Sequence, residues 1–359
     1  MPKQINPLEL IMKSEKPLVD LLNIKMKYLL LLIAILSSCN LDINNESPIV
    51  EKVTVNDITL PKGFTISKLY EPTDHEQGSW VSFAKDDKGN FYASDQYGSI
   101  YKATIKKSTG RDSLHVKELN LNVGLAQGLL YHNNELFALV NSYDEKIKSG
   151  LYKVIDSNND GELDTVKTLK TVNGNGEHGP HSIELAPDKK SIYMVFGNHT
   201  DIPSDVHGRV PEVWDEDNLL PIIKDPSGHA NSRKAPGGWV AQTDFEGIDW
   251  TLIAVGTRNT FDIAFNRDNE LFGFDSDMEY DLGMPWYRPI RLNHITSGAD
   301  FGWRTGTGKF RDYYPDNLSG IVNLGQGSPT GLLDGTGLKF PAYYQNGLYL
   351  FDWSYGTMY

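Results

Sequence analysis

At 359 residues the chain is long enough for one large all-β or α/β-barrel domain or for two ordinary ones, and its formal net charge of -13 gives a surface that repels phosphate backbones. Nucleic acid is thereby excluded as a partner. A single cysteine, Cys39, excludes an internal disulfide framework, a cysteine zinc cluster and a Cys-x-x-Cys-His haem attachment. With 33 Gly, 18 Tyr, 14 Phe and 7 Trp spread between short β-type runs, the composition favours many strands joined by turns.

The N-terminal segment carries a targeting pattern. Lys25-Met26-Lys27 precedes the apolar run Tyr28–Leu36, which is too short for a stable bilayer anchor but suits a signal-peptide core, and Leu36-Ser37-Ser38-Cys39 follows it. This looks like a bacterial lipobox. The expected order is a leader over 1–25 outside the native chain (translation starting at Met26), a lipoprotein signal peptide over 26–39, a polar tether over 40–52 and one domain over 53–359. Acylation of Cys39 would anchor the protein in the cell envelope, on the periplasmic or outer surface. The plain alternative is a buried N-terminal helix with an incidental cysteine.

Val53–Thr59 and Phe64–Tyr70 read as strands around the Pro61-Lys62-Gly63 turn. Then a phrase repeats. Trp80–Asp95 is a strand, a polar turn and a second strand centred on Phe91, and the same pattern returns around Leu136, Ile192, Leu271 and Leu348. Such hairpins at blade-like intervals predict an all-β propeller, in which each small sheet buries its faces only by stacking on its neighbours. Closer and more even strand spacing would have favoured the rival, a β-sandwich. The long intervals imply insertions, and both 199–238 and 281–340 read as loops. The fifth phrase runs to Tyr359, which predicts a ring completed by residues beyond this sequence or by a partner.

Several constellations point to chemistry. Asp275, Asp277, Glu279 and Asp281 alternate, so an extended strand would aim all four to one side, where they would bind a cation such as calcium or pair with Arg288 and Arg291. Asp156, Asn158, Asp160 and Asp164, with Gly161, match the opening of a calcium loop whose twelfth position is Lys167; the alternative is an acidic hairpin turn. His178, His181, His199, His207 and His229 gather around the third phrase, where they could hold a transition metal or be solvated or hydrogen-bonded to backbone; no pair has the His-x-x-x-His spacing of a helical metal site. Trp286, Tyr287 and Trp303 could stack on a sugar ring or fill the core.

Gly256-Thr-Arg-Asn-Thr-Phe-Asp-Ile-Ala-Phe265, followed by Glu270-Leu-Phe272 and Gly302-Trp303, resembles the soluble quinoprotein glucose/sorbosone dehydrogenase family. His178-Gly-Pro-His-Ser-Ile183 is similar to that family's earlier motif. The likeness is greater still to the propeller domains of bacterial membrane-bound dehydrogenases, often fused to a haem domain. The resemblance implies a six-bladed propeller holding pyrroloquinoline quinone over calcium, oxidation of a sugar or polyol, and a cytochrome as electron acceptor. It further implies His178 as general base, Arg258 facing the quinone, and Asn259, His181 and Arg288 as further cofactor contacts. The chain departs from the family at Asp277-Met278, Arg291 and Gly197-Asn198. Beside this reading stand a non-catalytic module for glycans or proteins and an inactive truncated member.

Overall fold

The computed structural model describes residues 52–55, 58–110, 112–214, 223–224, 226–281, 283–304, 308–309, 312 and 314–359. Cys39, with the leader, signal and most of the tether, lies outside them. The chain divides into two units, Met1–Ser67 and Lys68–Tyr359. In the first, β1 (Lys52–Val55) pairs antiparallel with β2 (Ile58–Pro61). The strand expected over Phe64–Tyr70 is not formed: Gly63, at φ +95°, and the Phe64 N–H donating to the Pro61 carbonyl turn the chain away instead.

In the second unit five sheets follow one another as blades, beside one separate two-stranded sheet. Blade one is β3 (Trp80–Lys85), β4 (Phe91–Asp95), β5 (Ile100–Lys106) and β6 (Ser113–Glu118). Blade two is β7 (Ala126–His132), β8 (Glu135–Val140), β9 (Gly150–Ile155) and β10 (Thr165–Thr171). Blade three takes β11 (Pro180–Leu185) and β12 (Ile192–Phe196), then, past the two-residue β13 (His207–Gly208), β14 (Gly238–Thr243) and β15 (Thr251–Thr257). Blade four is built from β16 (Thr260–Phe265), β17 (Leu271–Asp275) and β18 (Ile290–Ile295). After the short β19 (Ala299–Asp300), β20 (Trp303–Arg304) and β21 (Gly308–Lys309), it is completed by β22 (Val322–Gly325). Blade five has three strands, β23 (Pro329–Asp334), β24 (Leu348–Asp352) and β25 (Thr357–Met358). The first four repeated phrases are thus the inner hairpins of blades one to four, whereas the fifth holds only β24 of blade five, its first half being a 3₁₀ turn over Ala342–Gln345. The innermost strands β3, β7, β11, β16 and β23 pack in that order. This is a β-propeller with five blades described.

The reading of 281–340 as a loop is corrected. That stretch supplies β18 and β22 to blade four and β23 to blade five. Its strands escape a periodicity search because Gly and Pro crowd their ends and β18 is buried at almost every position, so no polar alternation marks it.

Strand alternation explains how the blades cohere. Along β8, Leu136, Ala138 and Val140 point into a cluster with Tyr92 and Ile100 of blade one, while Phe137 and Leu139 point the other way, toward Ile183, Met194 and Trp239 of blade three. Val195 and Val240 meet Ile263 and Leu271 between blades three and four, and Phe274 and Leu292 meet Leu332 and Leu350 between four and five. The apolar core is therefore a series of interblade layers, and no blade buries both faces alone.

A second regularity positions the site. In four blades the second strand ends in an Asp or Asn whose side chain holds backbone N–H groups where an inner strand begins. Asp95 accepts from Gly78 at 2.6 Å, Asn141 from Gly176 at 2.8 Å, Asp275 from Asn259 at 2.9 Å and Asp352 from Ser328 at 2.7 Å. These clamps all stand at the end of the unit where the inner strands start, and they fix the loops that carry the candidate site.

Candidate functional site

A cavity of about 980 Å³ opens at that end, lined from all five blades. Blade three contributes Glu177, His178 and His181, and blade four Arg258, Asn259, Phe261, Ser276, Asp277 and Glu279. Trp80, Tyr97, Tyr143 and Trp353 form an aromatic margin from blades one, two and five.

His178 and Arg258, far apart in sequence, meet through Asn198. The Asn198 backbone N–H donates to the Arg258 carbonyl at 2.9 Å, while the Asn198 side-chain oxygen lies 2.6 Å from His178 Nδ1. An amide oxygen accepts, so Nδ1 carries the proton and Nε2 the lone pair. Gly197 makes the approach practicable, because a Cβ there would collide with the His178 carbonyl and Asn259 Oδ1. His181 Nε2 lies 2.6 Å from Asn259 Oδ1, and Asn259 Nδ2 donates to the Glu177 carbonyl at 3.2 Å.

Burial sets the charge states. It holds His178 well below the ordinary 6.5, with the Arg258 guanidinium adding to the effect. His181 is lowered to about 4 by burial, and His199 to about 4 by burial with Arg233 as second cause. These rings are neutral at pH 7 and can accept a proton or a cation. Asp277 moves the other way: burial raises it and Glu279 adds repulsion, against a hydrogen bond from Tyr287 at 2.5 Å.

The four alternating carboxylates do not share one side. The strand stops at Asp275, which is fully buried behind the cavity, accepts the Arg258 and Asn259 N–H groups and lies 3.5 Å from Arg291. It is the blade-four copy of the clamp, with its oxygens spent on structure rather than facing a metal. Asp281 is taken by Arg288 through two hydrogen bonds of 2.8 and 2.5 Å, so neither that carboxylate nor that guanidinium is placed for a cofactor. Asp277 and Glu279 alone of the four line the cavity, the latter 3.7 Å from Arg258.

Asp156, Asn158, Asp160 and Asp164 sit far from this mouth, in the β9–β10 turn. Asp156 accepts from Asp160 and Gly161, Asn158 from Asp160, and Asp164 from Ser157. The turn satisfies its own backbone, as an acidic hairpin turn does. Trp303 is core, Trp286 is exposed outside the cavity lining, and Tyr287 acts through Asp277.

The sequence reading missed Asn141, Asn198 as the His178 partner, Ser276 and the aromatic margin. Their signal was present: most stand just past the second strand of a repeated phrase, where each blade delivers a residue to the mouth.

No family model and no curated protein matches the chain in sequence. Solved structures resemble it. A glucose dehydrogenase superposes with TM-score 0.55 at 13% identity, covering 82% of this chain and 84% of that one. The PQQ-bound form of aldose sugar dehydrogenase from Streptomyces coelicolor gives 0.51 at 15%, covering 77% and 74%. The calcium structure of a Trichoderma reesei carbohydrate-active enzyme of family AA12 gives 0.50 at 13%, covering 77% and 75%. The likeness is one of fold.

Proposed function

We propose that the protein is a quinoprotein-type oxidoreductase that removes two electrons from a sugar or polyol at the propeller mouth. The observation that supports this most is that a neutral, Asn198-oriented imidazole at His178 and the Arg258 side chain line one cavity. His178 Nε2 takes the hydroxyl proton as the carbon gives up hydride, and its depressed proton affinity keeps it unprotonated for that task. Trp80, Tyr97, Tyr143 and Trp353 offer ring faces to sugar C–H groups.

Pyrroloquinoline quinone, when bound, would supply the two-electron acceptor. Its carboxylates do not fit this lining alone, because Arg258 is the one guanidinium there against Asp144, Glu177, Asp277 and Glu279. With calcium the residues fit: Asp277 and Glu279 are the hard oxygen donors that would hold the ion, and Arg258 and Asn259 would hold quinone oxygens. The PQQ-bound aldose sugar dehydrogenase and the calcium structure of the AA12 enzyme, which share this fold, support the pair. Acylation at Cys39, residence in the cell envelope and delivery of electrons to a cytochrome extend this reading, supported by the lipobox-like segment and the sequence resemblance.

The test is reconstitution of the full chain with calcium and pyrroloquinoline quinone, reading quinone absorbance and dye reduction across a sugar and polyol panel. Calcium-dependent binding is expected, with turnover whose acid limb lies below pH 6.5 and which His178→Gln abolishes while quinone still binds. No quinone binding in the presence of calcium removes the reading.

A further inference from the structure

The insertion between β12 and β14 brings two more histidines against His178. His199 follows directly on Asn198, and its backbone N–H donates to the His178 carbonyl at 3.0 Å. His229, partly buried, reaches back from the far side of the insertion so that its Nε2 lies 3.2 Å from His178 Nε2. The potential ligand nitrogens of all three lie within 4.8 Å of one another.

With Nδ1 of His178 committed to Asn198, its Nε2 lone pair points at another ring nitrogen. Such converging lone pairs need either a shared proton or a shared cation. Two ligands at about 2.0–2.1 Å from one tetrahedral ion stand roughly 3.3 Å apart, and the Nε2–Nε2 separation already matches that edge. A hydrogen bond donated to a carbonyl oxygen by the ring N–H opposite the ligand nitrogen is the arrangement that orients metal-bound imidazoles, and the Asn198 side-chain oxygen accepts it here. Guanidiniums stand nearby but are answered by acids: Arg258 has Glu279 at 3.7 Å, and Arg233 has Asp201 at 3.2 Å.

We propose that His178, His199 and His229 form a binding site for one divalent transition-metal ion of zinc type, with the fourth coordination position reachable from the cavity that His178 lines. Imidazole donors select such ions over calcium, so this site and a carboxylate site at Asp277 and Glu279 would not compete for the same metal. An ion here occupies His178 Nε2, so metal-loaded and proton-accepting states of that ring exclude each other. The inference goes beyond the oxidoreductase reading and does not require it.

The test uses the full chain, stripped with a chelator and titrated with Zn²⁺ against a chromophoric competitor and with Co²⁺ by visible absorption. One ion per chain is expected, with the intense band of four-coordinate cobalt. His199→Ala and His229→Ala should each weaken zinc binding by about 100-fold or more, since even an outer-shell change costs 10–100-fold. His207→Ala, on the same insertion but exposed and paired with Glu212, should leave it unchanged. If His199→Ala fails to fold, His229→Ala decides, and X-ray absorption of the zinc-loaded wild type counts its imidazoles independently of any variant. Three imidazoles are expected. Absence of a one-to-one complex, equal affinity in the His229 variant, or fewer than two imidazoles on the ion would overturn the proposal. Quinone binding plays no part in these readouts, so failure here leaves the oxidoreductase reading standing, and the reverse.

Discussion

Asp275 shows how much one side chain can carry. Its carboxylate receives the Arg258 and Asn259 N–H groups and lies 3.5 Å from the buried Arg291 guanidinium. Asp275→Ala leaves two donors and a buried cation without that partner, and should destabilise the fold by about 3 kcal/mol in denaturant unfolding. Asp275→Asn, which keeps one acceptor oxygen, should cost markedly less. Equal loss in both would mean that the charge, not the acceptor geometry, holds the loop. Asn198 is the companion case: its backbone sets Arg258 and its side chain sets His178, so one residue determines the distance between the two proposed reacting partners.

Among the elements, the innermost strands β11 and β16 carry an acidic pair that the site does not use. Ser182 donates to Asp262 at 2.5 Å, and burial pushes Asp262 up to about 6. Glu184, two residues along β11, is pushed up to about 8, by burial first and then by the Asp262 charge. A carboxyl raised in this way binds more protons folded than unfolded between about 4.5 and 8, so its contribution is present at low pH and is lost as pH rises through that window. The buried neutral histidines act oppositely: their contribution is present above about 6.5 and is lost as pH falls toward 4. The melting temperature should therefore decline on both sides of a mildly acidic to neutral optimum. Glu184→Gln should flatten the decline between pH 6 and 8 and leave the acid side intact. An unchanged alkaline limb would show that Glu184 is not the group responsible.

Over the whole molecule, the mouth gathers what no single blade has. Tyr97 of blade one, Tyr143 of blade two and Trp353 of blade five are among the most exposed aromatics, at 76%, 73% and 76%, and all border the cavity. Exposed rings grouped around a concave site are a binding feature rather than a packing one. Given turnover on a sugar, Trp353→Ala should raise KM about tenfold, or about 1.4 kcal/mol, with kcat little changed. A fall in kcat at constant KM would assign the ring to the chemistry instead.

The propeller was legible in the chain because the first four blades repeat the same local problem, a hairpin with two apolar faces followed by an Asp or Asn, and local repetition survives in one dimension. The grouping of His178, His181, Arg258 and Asn259 was legible through motif resemblance. Other features depended on the third dimension. Where β17 stops decided that Asp275 and Asp281 turn to structural partners while Asp277 and Glu279 face the mouth, since a strand's end is fixed by its neighbours' hydrogen bonds and not by its own alternation. The meeting of His229 with His178 and His199 was equally out of reach, because contacts made across a long irregular insertion leave no periodic trace. Sequence by itself determined the repeating unit and the residue types it could deliver; tertiary packing decided which of them converge, because convergence depends on distances between blades that only the stacked sheets define.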